Sequence, residues 1–202
     1  MKNLMRIPLF LFLLLLLGSC ATTVTTEVTR FHKDTTPAGE TIAIVPMDNA
    51  KTGSLEFAAY AKLVAKRLAD IGYKVVNADA NPDLLAKMDY SVGPPQTRIK
   101  SWPRNFVHYH FYYGDTYPFF YGQYWDEPDY YSYTVYMRTL KVNIARANGE
   151  SLFEGHVDSV GQDHNLNEVM PYLVKAMFNN YPGESGVTKV VTIQQDNTNH
   201  PY

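Results

Sequence analysis

The sequence holds one cysteine in 202 residues, at position 20. Residues 21–202 therefore carry no disulfide, no thiol nucleophile and no thiolate metal ligand, even in an oxidising compartment. Packing alone must hold the fold. Charge of one sign is also lacking: 18 Lys and Arg stand against 20 Asp and Glu, for a formal net charge of -2. No basic field marks a nucleic-acid partner. The N-terminal apolar run, Leu9 to Leu17, falls short of the ~20 residues that a spanning helix needs. A Gly-x-Ser-x-Gly elbow, a phosphate-cradling glycine loop and a His-Glu-x-x-His pair are absent too.

What is present starts at the N-terminus. Lys2 and Arg6 precede the apolar run, and Leu17-Gly18-Ser19-Cys20 follows it. Charge, short apolar core and small residues are the order of a secretory signal. An ordinary signal would end in an Ala-x-Ala-like site. This one ends in Leu-Gly-Ser-Cys, which resembles a bacterial lipobox. Resemblance to lipoproteins implies a signal peptide over 1–19, cleavage before Cys20, a diacylglycerol group on its sulfur and an N-acyl chain on its new amino group. The alternative is a plain cysteine inside a signal. One acyl chain binds a membrane only reversibly, so stable anchoring takes two or three. Ala21 follows Cys20, where Asp would imply retention at the inner membrane. The same resemblance thus implies an outer-membrane lipoprotein facing the periplasm.

Val24 to His32 alternates β-branched and polar residues and reads as an early edge strand. It starts almost at Cys20, so the tether is short. Thr41-Ile42-Ala43-Ile44-Val45 is nearly continuous apolar, the mark of a buried or central strand, and Pro46 ends it. Ser54 offers an N-cap for a helix with the stripe Tyr60, Leu63, Val64, Leu68, Ile71, and Gly72 fits its left-handed end. Tyr73 to Val76 then follows as a strand, which suggests a parallel crossover. Leu84, Ala86, Met88, Tyr90 and Val92 are apolar at period 2, a strand that Gly93-Pro94-Pro95 breaks. Asn148-Gly149 predicts a two-residue hairpin turn pairing Ala147 with Glu150. That register sets Ile144 opposite Phe153, Val142 opposite Gly155 and Leu140 opposite Val157. Leu166 to Tyr181 has helical spacing, with Pro171 expected in the first turn or at a kink. Val187 to Ile193 suggests a last strand, and 196–202 a polar tail.

The order of these pieces is that of a known family. A lipobox leads to a strand and Ile42-Ala43-Ile44-Val45-Pro46, then to a helix ending Ile71-Gly72-Tyr73. A strand from Ala86 to Val92 precedes an aromatic insertion, the Asn148-Gly149 hairpin with Phe153-Glu154-Gly155, and a helix ending Phe178…Tyr181-Pro182. The chain resembles the bacterial lipoproteins of the domain-of-unknown-function 4136 family, to about Gly183. The resemblance implies no activity and no catalytic residues.

The insertion, about 102–133, is dense in aromatic residues, and connections this long are often functional. Phe106 to Tyr113 and Tyr130 to Met137 have strong β preference and could form one extended hairpin with Pro118, Gly122 and Pro128 at its tip. Three readings stand side by side. The rings cover the sheet as a second layer of core. Or Trp102, Tyr109, Tyr112, Tyr117, Tyr121, Tyr124 and Trp125 form a surface for a glycan or envelope protein, since Tyr and Trp give large contact area with a polar tip. Or they meet lipid headgroups, where amphipathic rings sit well.

Catalytic and metal chemistry have thin support. His108 and His110 would share one strand face, and Asp126, Glu127 or Asp129 could add a carboxylate for zinc. The same residues serve equally as polar members of a strand and as a solvated turn, so no metal site is assigned. His156 and His164 read as surface or cap residues, and Asp158, Asp163 and Glu168 as exposed or capping. The expected fold is a two-layer α/β (α+β) sandwich over 20–195. A mixed, mostly antiparallel sheet carries two helices on one face and the aromatic insertion. The expected function is a non-catalytic binding or assembly module with no cofactor beyond its lipids. It would be held at the membrane, with an envelope protein or glycan as partner and no nucleic acid. The alternative is an envelope enzyme or glycan-binding protein with its site under the Tyr/Trp-rich loop.

Overall fold

The computed structural model describes residues 23–33, 37–102, 105–112, 119–126 and 128–195, with backbone only for 105–112 and 119–126. Ten strands and two helices follow in order: β1 (Thr23–His32), β2 (Thr41–Pro46), α1 (Leu55–Ile71), β3 (Lys74–Val75), β4 (Leu84–Val92), β5 (Gln96–Trp102), β6 (Asn105–Tyr112), β7 (Phe119–Asp126), β8 (Asp129–Arg146), β9 (Ser151–Gly161), α2 (Leu166–Met177) and β10 (Val187–Gln194). The main sheet runs β10-β1-β9-β8-β4-β2-β3, and β5 pairs with β8 off that path. β2 is parallel to β3 and β4; the other pairs are antiparallel. The expected sandwich of a mixed, mostly antiparallel sheet and two helices is therefore the observed one.

Period-2 burial makes the sheet one-sided. Val24, Thr26, Val28 and Arg30 of β1 are buried, as are Leu84, Ala86, Met88 and Tyr90 of β4. Leu140, Val142 and Ile144 of β8 meet Phe153 and Val157 of β9 in the same core. Helix α1 buries Phe57, Tyr60, Val64 and Leu68, a stripe reaching one turn further toward the N-terminus than the spacing predicts. Ser54 caps it, its Oγ accepting from the Phe57 N–H, and Gly72 ends it at φ 119. Helix α2 buries Leu166, Val169, Met170, Leu173, Val174 and Met177. Among the described residues no helix is long and apolar enough to cross a membrane.

Five expectations need correction. First, β1 is not an edge: β10 pairs along its outer side from Thr23↔Gln194 to Arg30↔Val187, and β9 holds the other side. Second, the buried run of β2 lies next to the end of the sheet. Ile42 and Ala43 are buried as the apolar run predicts, but β2 is not central: among the described residues the only strand beyond it is the two-residue β3. Third, the Asn148-Gly149 turn is a three-residue loop. Arg146 N–H donates to Glu150 O and Gly149 N–H to Arg146 O, both at 2.9 Å, and Gly149 takes φ 88. An irregularity between Ile144 and Ala145 absorbs the extra residue, so the Ile144–Phe153, Val142–Gly155 and Leu140–Val157 pairs form as expected. Fourth, α2 stops at Met177, and Pro171 lies in its second turn. Fifth, the aromatic strands pair differently: β6 pairs with β7, Asn105↔Asp126 to Tyr112↔Phe119, while the start of β8 pairs with the unforeseen β5. Cys20 and the 196–202 tail lie outside the described residues.

Candidate functional site

Two features gather at one end of the sheet. The first is a ribbon. β8 runs for 18 residues, and β4 covers only its second half, from Val92↔Arg138 to Leu84↔Arg146. Past Gly93-Pro94-Pro95 the chain rejoins the same side of β8 as β5, from Gln96↔Val135 to Trp102↔Asp129. Gly93 N–H donates to Met137 O at 2.8 Å and keeps the two halves aligned. Every residue of β5 is exposed.

Cross-strand partners share a face. One face of the ribbon therefore carries Arg98, Lys100 and Trp102 from β5 with Tyr131 and Tyr133 from β8, and the other carries Ile99 and Tyr130. Tyr131 and Tyr133 stack with ring centres 5.6 Å apart, and Lys100 Nζ lies 4.7 Å from the Trp102 ring centre. Trp102 is 57% exposed, Tyr130 72% and Ile99 71%. At these residues the second-layer-of-core reading fails: the rings face outward.

Arg138 fastens the ribbon to the sheet. It is buried, donating from Nη2 to Ser159 Oγ at 3.1 Å and from Nη1 to Asp163 O at 3.3 Å. Ser159 Oγ in turn donates to Thr25 O, which ties β9 to β1. Burial lowers the Arg138 pKa, and the Asp163 charge opposes that shift.

The second feature is a cleft of about 590 Å³ lined by Glu56, Tyr60, Tyr90, Asp163, His164 and Glu168 among others. It lies where β4 ends and both helices begin. Tyr90 and Tyr60 meet edge to face at 4.8 Å, and their hydroxyls reach Glu56 at 3.2 and 3.1 Å. The Tyr60 hydroxyl also reaches Asn167 Oδ1. Burial first, then the Glu56 charge, raise the Tyr90 pKa. Asp163 Oδ1 accepts from Asn165 N–H at 2.7 Å, and Glu168 Oε1 from Asn165 Nδ2 at 3.0 Å. The carboxylates thus brace two helix starts, where negative charge is favoured. None of these bonds aims two of them at a common reacting atom.

Of the residues singled out by sequence, Trp102 is placed with its side chain, on the ribbon. The backbones of Tyr109, Tyr112, His108 and His110 lie in β6, and those of Tyr121, Tyr124 and Trp125 in β7, but their side chains lie outside the described set. Tyr117 lies outside it altogether. Among the described residues no three His, Cys, Asp or Glu side chains are grouped to hold a metal ion. Asn165 caps α2, its Oδ1 accepting from the Asn167 N–H, while exposed Asp163 and Glu168 hold Asn165 through its N–H and its Nδ2. His156 is partly exposed, its Nε2 2.7 Å from Asp158 Oδ2. Sequence reasoning missed Arg98, Ile99 and Lys100. The signal was the polar alternation of Gln96 to Trp102, hidden behind a Pro-Pro that reads as a terminator.

The family model described as "Domain of unknown function (DUF4136)" matches residues 27–183. No curated protein matches the chain. Among solved structures, a PDZ domain protein from Parabacteroides distasonis ATCC 8503 is 16% identical over 85% of this chain, with a TM-score of 0.46. The chain spans 39% of that protein's length. A dodecameric PelC variant from Paraburkholderia phytofirmans is 11% identical over 76% of this chain and 94% of its own, with a TM-score of 0.40. Likenesses at these scores bear on neither mechanism nor partner.

Proposed function

From the premise that the chain belongs to the DUF4136 family, whose name assigns no chemistry, we propose that it is a non-catalytic binding or assembly module. In this reading it is lipid-anchored through Cys20 at the bacterial outer membrane and engages its partner through the β5–β8 ribbon. The observation that carries the reading is the ribbon itself. Every residue of its β5 strand is exposed, and it presents Trp102, Tyr130 and Tyr131 to solvent. A two-stranded ribbon is marginally stable alone, and solvated rings contribute nothing to the core. Rings held out on a projecting ribbon suit recognition, because Tyr and Trp offer contact area at low entropy cost. The braced carboxylates of the cleft support the non-catalytic half of the proposal.

The test is photo-crosslinking in living cells from a photoreactive residue at Tyr131, with Cys20→Ala as control. The expected result is a discrete adduct that disappears in the control. Absence of any adduct from Trp102, Tyr130 and Tyr131 alike would overturn the proposal.

A further inference from the structure

We infer that the β5–β8 ribbon docks onto anionic lipid headgroups of the membrane that holds the anchor; this rests on the lipid-anchored reading above. β1 pairs with β9 through Glu27↔Asp158. Four residues further on, that register sets Thr23 level with Gln162, one residue past Gly161, which faces Tyr136 of β8. Thr23 is thus level with Val135, where the ribbon begins. The chain arrives from Cys20 at the same end of the sheet from which the ribbon projects.

Two lengths then decide the outcome. Cys20 lies three residue steps before Thr23, a span of at most about 11 Å. From Val135 to Asp129 the ribbon extends six residues, roughly 20 Å at strand rise. β1 and β8 are two strand spacings apart, roughly 10 Å. The ribbon outreaches the tether beside it. With acyl chains on Cys20 in the bilayer, the ribbon either stands into the headgroup layer or lies along it.

Its chemistry fits that layer. Trp102, Tyr131 and Tyr133 are the side chains that favour the membrane–water interface. Arg98 and Lys100 stand among them, with Asp129 at the far end opposite Trp102. Among the described ribbon residues two cations stand against one carboxylate, a balance that favours an anionic headgroup over a zwitterionic one. Ile99 and Tyr130 give the reverse face apolar area for the same boundary.

The test uses the full acylated protein, extracted from membranes and reconstituted in vesicles of phosphatidylcholine with and without phosphatidylglycerol. Cys20 is the sole cysteine, so a nitroxide on Tyr131→Cys is unique once Cys20 is acylated, and one on Tyr130→Cys gives a second position. A nitroxide on Asn148→Cys reports the opposite end of the sheet. The expected result in phosphatidylglycerol vesicles is that both ribbon labels lose collisions with an aqueous nickel relaxant and gain them with oxygen. The Asn148 label stays aqueous. Arg98→Gln with Lys100→Gln should lower the docked-to-free ratio roughly 30-fold, the combined effect of two basic residues near an anionic surface, and ~1 M salt should mimic it by screening.

Ribbon labels as aqueous as the Asn148 label in phosphatidylglycerol vesicles would overturn the inference. If crosslinking from Tyr131 in cells then still captured a protein or glycan, the binding-module reading would stand without lipid docking. A chain never acylated at Cys20 would sink both.

Discussion

Gly155 shows how one residue type can be required by a contact that only the fold creates. A Cβ there would run into Met177 Sδ and come within 2.9 Å of the Phe153 ring. Helix α2 reaches the sheet at this point because the position is bare. Gly155→Ala should destabilise the protein by about 1–3 kcal/mol through overpacking, read as a lower urea midpoint at unchanged slope. Met177→Ala should cost about 2–5 kcal/mol by leaving a cavity. The double variant should lose less than the sum, because each change relieves the other; strict additivity would show that the two sites do not compete for space. The sequence pattern already places Gly155 opposite Val142, but the reason for a glycine lies with Met177, 22 positions away. Arg30 is a parallel case. Its place in the β1 alternation is legible, but its use is not: buried, it donates from Nη2 to Ala176 O at 2.6 Å, at the end of α2 where cations are favoured.

Local patterns reveal elements well where their partner is near in sequence and poorly where it is distant. The β8–β9 register follows from apolar residues at alternating positions on both arms. The loop that joins them is less legible, because the extra residue at Gly149 and the irregularity near Ala145 cancel within a few positions. Gly149 at φ 88 is the residue that this loop requires, and Gly149→Ala should cost about 1–2 kcal/mol, measured by chemical denaturation. A cost near zero would mean that residue 149 does not need its positive φ. β1 looks like an edge strand until the chain returns more than 150 residues later as β10 to cover it. β5 is hidden for a different reason: Gly93-Pro94-Pro95 ends the pairing of β4, yet β8 is long enough for the next strand to resume along the same side. The candidate site inherits that difficulty. Trp102 is conspicuous in sequence, but Arg98 and Lys100 acquire meaning only when β5 sets them beside Tyr133 and Tyr131.

At the scale of the whole molecule, no disulfide crosslinks the chain, so its resistance to alkali depends on packing and on phenols held neutral. Tyr73 is buried with its hydroxyl 3.1 Å from that of Tyr181, and burial first, then that hydrogen bond, push its pKa far above the usual tyrosine range. A folded-state pKa raised above the unfolded value means that the native state keeps a proton which the unfolded state releases. The stabilisation is complete below about pH 10 and is lost as pH rises beyond it, by about 1.4 kcal/mol per pH unit while only the unfolded phenol ionises. Tyr73→Phe should flatten part of that fall, seen in melting temperature against pH from 9 to 11; an unchanged slope would show that Tyr73 ionises freely in the folded protein. Tyr90, also shifted upward, accounts for part of what remains.

The pairing of Thr23 with Gln194 also fixes how the molecule would bear mechanical load. β1 lies between β10 and β9, so a pull on its first residue is resisted differently according to where the rest of the protein is held. Held at the Asn148 loop, at the opposite end of the sheet, the strand would have to slide lengthwise and strain its hydrogen bonds all at once. Held at the ribbon, on the same side as the pull, it would peel away one pair at a time. A load applied between Thr23 and the far end would therefore be strongly resisted, and one applied between Thr23 and the ribbon weakly.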